Sequence, residues 1–238
     1  METKKRGDLV INGFGASNGG QFQKVTLNGK GTVNSDIECK EFECNGTGAV
    51  KGNIIVETAK INGMAKISGT VEAKDLSVDG TAKIEKNLIV EKVKVAGKAT
   101  VGGRVKAEEI KIKGKLTVEE DCEAELFKAE SMFTIGGLLN ADEVDIKIFG
   151  DCQAKEIGGQ SIVVKYKPSW FGIFKSLFQT QLKVEVIEGD TIYLENTKAA
   201  VVRGNHVTIG QNCEIGFIEY TDELAIDPSA VVGENKKR

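Results

Sequence analysis

The stretch Val93–Val118, "VKVAGKATVGGRVKAEEIKIKGKLTV", never lets its hydrophobic alternation run for more than a few residues. Each V-x-V or I-x-I pair is cut off by a glycine or a charged pair, and the pattern then begins again. Outward from this stretch the interruptions prove periodic. Glycine recurs at Gly29, Gly46, Gly63, Gly80, Gly97 and Gly114, always 17 residues apart, and Gly52, Gly69, Gly103 and Gly137 fall on multiples of the same step. The apolar positions keep it too. One column reads Phe42, Ala59, Leu76, Val93, Ile110, Phe127, Val144; its neighbour reads Cys44, Ile61, Val78, Val95, Ile112, Ala129, Ile146. A fixed repeat of this kind decides the architecture before weaker signals are weighed.

Each 17-residue unit holds three apolar pairs in i, i+2 spacing, so each pair shares one side of a short strand. Three strands and three corners make a triangular coil. Stacking coils at about 4.8 Å pairs every strand in parallel with its copies above and below. The first corner carries Asn45-Gly46, Asn62-Gly63 and Asp79-Gly80, which tolerate the positive φ a sharp corner can require. The third corner carries charged pairs such as Lys74-Asp75 and Glu91-Lys92. Asn-Gly also signals a hairpin, but a hairpin sandwich gives no reason for identical columns at an unvarying step. The spacing therefore predicts an all-β fold, a parallel β-helix with a dry core of six apolar columns. With Gly 28 and Pro 2, composition agrees.

Residues 1–19 read as a polar lead and an irregular first turn, because "VINGFGASNGGQF" places its Asn-Gly one residue out of step. The main β-helix is expected over 20–165. Residues 166–181 form an aromatic insert in which Trp170, Phe171, Phe174, Leu177 and Phe178 share one face of a short amphipathic helix flanked by lysines. Two readings of that face stay open: it covers an apolar part of the solenoid, or it rests in a membrane interface. A second coil stack is expected over 182–233, where Val207 and Ile209 are followed 17 residues later by Leu224 and Ile226. Pro228 and the charged tail 234–238 read as a stop for strand addition. The lead lacks the apolar stretch of a signal peptide, and no run of 18 apolar residues occurs, so the expected location is cytoplasmic, with peripheral contact at the inner face of the membrane if the insert touches lipid.

Chemistry is sparse. The five cysteines form no C-x-x-C pair. Cys44 and Cys122 stand in apolar columns, Cys39 shares the Val56/Ala73 column, and Cys152 falls on the Val50/Ile67 column, so all read as core fillers rather than metal ligands. His206 is the only histidine and has no carboxylate at a catalytic spacing. "GFGASNG" misses the dinucleotide fingerprint. Lys+Arg 32 and Asp+Glu 35 interleave to a net charge of −3, which suggests no nucleic-acid groove. No catalytic, cofactor-binding or metal residue is assigned.

The units "VTLNGKGTV", "AKINGMAKISGTVEAKDLSVDGTAKI" and "VKVAGKATVGGRVKAEEIKIKG" resemble the bactofilins, the polymer-forming cytoskeletal proteins of bacteria, and "CEIGFIEYTDELAIDPSAVVG" resembles the end of a longer subgroup. The resemblance covers Gly20–Gly159 and, less closely, Gly189–Gly233. It implies a right-handed helix, assembly without nucleotide, and a non-enzymatic scaffold role in cell shape, envelope processes or motility, with itself or a paralogous bactofilin as partner. The open face of a first coil at Gly20–Val33 makes Phe22, Val25, Leu27 and Val33 the candidate assembly interface, the C-terminal end being expected to be better protected. A different class remains as the alternative: "VTIGQNCEIG" fits two rungs of the hexapeptide pattern of left-handed β-helix acyltransferases, with His206 as the one available base, and other β-helix enzymes act on carbohydrate.

Overall fold

The computed structural model describes residues 6–166 and 180–238. Among them every regular element is a strand, and every strand pairing is parallel: a β-solenoid. No helix occurs among the described residues. Trp170, Phe171, Phe174, Leu177 and Phe178, the basis of the expected helix, lie outside them.

The chain divides into two compact units, one running to Glu108 and including Lys115–Val118, the other comprising Glu109–Gly114 and Glu119–Arg238. In the first unit a coil consists of a four-residue strand and an eight-residue strand, as in Met64–Ile67 and Val71–Val78. In Ile54–Ile61 the buried and exposed positions alternate until Glu57 and Thr58, two exposed neighbours, after which alternation resumes in the opposite phase. A straight strand would turn its second half outward after that slip; a bend there keeps both halves facing the core. The third corner is thus a fold within one strand, and charged pairs suit it because both side chains point to water. The register follows the expected columns: Phe42 pairs with Ala59, Ala59 with Leu76 and Leu76 with Val93, all buried.

The corner glycines have a different reason from the one expected. None has positive φ; among glycines only Gly19 and Gly20 do. Instead, a Cβ on Gly63 would lie 2.1 Å from the Gly46 carbonyl oxygen, and one on Gly80 would lie 2.0 Å from that of Gly63. Coils approach each other so closely here that no side chain fits. The asparagines beside these glycines form a ladder: the Asn28 side-chain amide donates to Asn12 Oδ1 at 2.8 Å, Asn45 to Asn28 at 2.9 Å and Asn62 to Asn45 at 2.7 Å.

At the second corner, Asx side chains replace part of the backbone ladder. The N–H groups of Asn53, Thr70 and Arg104 donate to Asp36 Oδ1, Asn53 Oδ1 and Asn87 Oδ1 at 2.7, 2.9 and 3.0 Å. In the second unit the Leu138 N–H donates likewise to Asp121 Oδ1 at 3.0 Å. The residue just before each donor is glycine, and a Cβ there would lie 2.1–2.5 Å from the accepting oxygen. This accounts for the gaps in the second glycine series: Lys86 and Glu120 replace glycine where the residue 16 positions earlier is Thr70 or Arg104 rather than Asn or Asp.

The beginning of the first unit differs from expectation. Leu9–Ile11 pairs with Val25–Leu27 and Phe14–Ser17 with Lys30–Val33, a step of 16. The contraction at one corner put "NG" out of phase in the sequence, and the expected irregular first turn is a paired coil with that one corner shortened.

In the second unit the step varies. Phe133 pairs with Cys152, 19 residues on; Leu182 pairs with Thr197, 15 on; Val207 pairs with Leu224, 17 on. Cys152 therefore belongs to the Phe133 column rather than the Val50/Ile67 column. Its neighbours there are Leu182 and Thr197. Phe127 and Phe133 meet edge-to-face in the core, centroids 5.3 Å apart. Ser131, standing where glycine would, donates its hydroxyl to the Gly114 carbonyl. The third corner here changes from charged residues to a glycine column, Gly159, Gly189 and Gly204. The charged tail is not a stop: Val231–Lys237 is a strand paired with Glu214–Tyr220.

Candidate functional site

The proposed assembly residues Val25, Leu27 and Val33 are 0% exposed, covered by Leu9, Ile11 and Ser17 of the preceding coil. They are core, and only Phe22 is half-exposed. The sequence placed the first coil one turn too late. Among the described residues no strand covers Leu9–Ser17, which has Val10 and Phe14 at its exposed positions and a thin interior of Leu9, Ile11, Gly15 and Ser17.

The second unit ends on a more apolar face. Val231–Lys237 covers only Glu214–Tyr220, so the strand past Tyr220 has no following partner among the described residues. Leu224 and Ile226 stack on buried Val207 and Ile209, but Leu224 is half-exposed and Ile226 is 40% exposed. A strand edge with free N–H and C=O groups beside apolar side chains is a template for another strand.

The chemically equipped groups lie apart. His206 is exposed, between Thr191 and Glu223 in the ladder, its Nδ1 3.9 Å from Asp222 Oδ2. All five cysteines are buried and unpaired. Burial pushes the thiols of Cys39, Cys122 and Cys152 up to about 12 and that of Cys213 up to about 11, with neighbouring carboxylates adding to the rise at Cys39, Cys152 and Cys213; Cys44 is raised by burial as well. A thiol held protonated in a dry column is neither a nucleophile nor a ligand. Among the described residues no three His, Cys, Asp or Glu side chains cluster to hold a metal.

One depression of about 290 Å³ follows the glycine column of the second unit, lined by Glu188, Arg203, Glu219 and Arg238. Its charges satisfy one another: Arg203 lies 3.6 Å from both Glu188 and Glu219, and Arg238 lies 2.7 Å from Glu219. The Arg238 hydrogen bond holds the Glu219 carboxyl below its usual range, so it is a fixed charge rather than a poised base. The arrangement presents strand edges and surfaces, and among the described residues no nucleophile–base pair.

The bactofilin family model, described as polymer-forming cytoskeletal, matches residues 2–89. The uncharacterized protein YhbE of Bacillus subtilis (strain 168) is 59% identical over 230 residues, 96% of this chain and 97% of that protein. The uncharacterized protein YhbF of the same organism is 48% identical over 83 residues, 35% of this chain and 34% of that one. No solved structure matches. The 17-residue coils, the parallel register and these two levels of similarity agree: the chain belongs to the bactofilin family of polymer-forming cytoskeletal proteins.

Proposed function

We propose that this bactofilin is a non-enzymatic scaffold that joins copies of itself, or a paralogous bactofilin, through the open faces of its terminal coils, without nucleotide. The observation that carries this reading is the uncovered Leu224/Ile226 side of the last coil, where a strand edge and apolar side chains stand together. Completing their burial contributes up to about 1.5–3 kcal/mol per side chain. Association costs about 4–15 kcal/mol in lost freedom, so one such contact is weak without backbone pairing beside it. Assembly is accordingly concentration-dependent. The end at Leu9–Ser17 offers the complementary edge with a poorer apolar interior. That YhbE and YhbF occur in one organism supports co-assembly of paralogues. Its proposed place is the cytoplasm at the inner face of the membrane, a reading that five buried thiols support, and its proposed roles are those of the family in cell shape, envelope processes or motility.

Sedimentation velocity of the purified chain over a range of concentrations tests the reading. The wild type should form larger species, and Leu224→Arg with Ile226→Arg should shift them toward monomer while the circular dichroism spectrum is kept. Association indifferent to the double variant would refute the C-terminal face as the contact.

A further inference from the structure

The three faces of the first unit are unequal in charge. On the face built from the short strands, Phe14–Ser17 through Lys115–Val118, every outward position is Lys, Thr, Ala, Met or Phe, and none is acidic. The other faces mix lysines with Glu38, Glu41, Glu43, Glu57, Glu72 and Asp75. From Phe14 the outward column climbs through Lys30 to Met64 and ends in Lys98, stacked directly on Lys115. The column beside it holds Lys66 and Lys83 among threonines and alanines. Lys66 is paired with Glu85 at 2.9 Å. Among the described residues Lys30, Lys98 and Lys115 have no anionic partner, while Lys83 forms no ion pair but shares the charge of Glu85 with Lys66.

Like charges opposite one another in a ladder are unfavourable, and Lys98 over Lys115 is such a pair. The arrangement becomes favourable against an extended negative plane. On the same face two apolar side chains stand in water: Phe14 is 90% exposed and Met64 is 57% exposed. Seven stacked strands make a nearly flat strip about 29 Å long. A flat basic strip with a protruding aromatic matches the headgroup layer of a bilayer; it has neither a groove for a duplex nor a row of rings for single strands.

We propose that this face of the first unit docks on an anionic lipid bilayer, with the lysines at headgroup phosphates and Phe14 and Met64 in the interface. Each lysine near such a surface favours partitioning by about fivefold, and four together by several hundredfold.

Co-sedimentation of the full chain with vesicles of phosphatidylcholine alone, or mixed with phosphatidylglycerol, tests this. Binding should require phosphatidylglycerol and weaken with salt. Lys83→Glu with Lys98→Glu and Lys115→Glu should lower it at least ~100-fold with an unchanged melting temperature. Lys40→Glu with Lys74→Glu and Lys94→Glu, an equal change in net charge on the other faces, should leave it near the wild-type level. Phe14→Ala should weaken it severalfold. Three results would overturn the proposal: no vesicle binding by the folded wild type, equal loss in both triple variants, or capture of duplex DNA by this face in place of vesicles. Self-association in lipid-free solution that disappears only in the first triple variant, with vesicle binding intact, would reassign the face to a second copy.

Discussion

At the scale of the residue, this fold is a matter of what fits between coils. Gly80 is required because its Cβ would lie 2.0 Å from the Gly63 carbonyl oxygen. Gly80→Ala should therefore destabilise by about 3 kcal/mol in urea unfolding, although its φ is ordinary. The second corner allows a sharper test. Asn87 Oδ1 accepts from the Arg104 N–H and occupies the space that a Cβ on Gly103 would need, 2.2 Å away. Asn87→Ala should cost about 1 kcal/mol for the lost hydrogen bond. Gly103→Ala should cost more by itself and much less in the Asn87→Ala background, giving a coupling energy of about 1–2 kcal/mol in a double-mutant cycle. Strict additivity would show that the clash is relieved elsewhere. The sequence held this relation, since Lys86 and Glu120 follow non-Asx positions; it was missed because a gap in a glycine series reads as noise until the oxygen opposite is seen. The cysteines were legible as core fillers. Burial that lifts Cys39, Cys122 and Cys152 to about 12 predicts negligible labelling by a maleimide near pH 8 in the folded protein and labelling of all five after denaturation. Rapid native labelling would contradict their placement.

At the scale of the element, the i, i+2 pairs identified the strands and their inward sides because side-chain period and coil length are both fixed by backbone geometry. Val95 is buried and Lys94 beside it is exposed. Val95→Asp should cost ~4 kcal/mol or more by placing an unpaired carboxyl in the core, whereas Lys94→Asp should stay within about 0.5 kcal/mol. Equal sensitivity in thermal unfolding would reverse the register. What the pattern could not supply was the length of each corner. A coil can shorten or lengthen where it turns without disturbing the strands it stacks, as at the step of 16 under Val25 and that of 19 under Cys152. A strict 17-residue reading therefore lost the first coil, misplaced Cys152, and located the candidate interface at Val25, Leu27 and Val33, which are buried.

At the scale of the whole molecule, assembly depends on the difference between a finished and an unfinished stack. A solenoid saturates its backbone along its length and leaves it unsatisfied only at its last coils. Pro228 and "ENKKR" suggested a protected C-terminal end, but strand pairing continues to Lys237, and among the described residues no strand covers Leu224 and Ile226. Composition and residue order do not show which side of a last coil is covered; that depends on where the final strand lies. Electron microscopy of the purified protein, with and without added nucleotide, tests the scaffold reading most directly. Polymers or higher-order particles should form equally in both conditions and be lost in the Leu224→Arg, Ile226→Arg variant. Monomers alone at every concentration, or polymers that appear only with nucleotide, would contradict it.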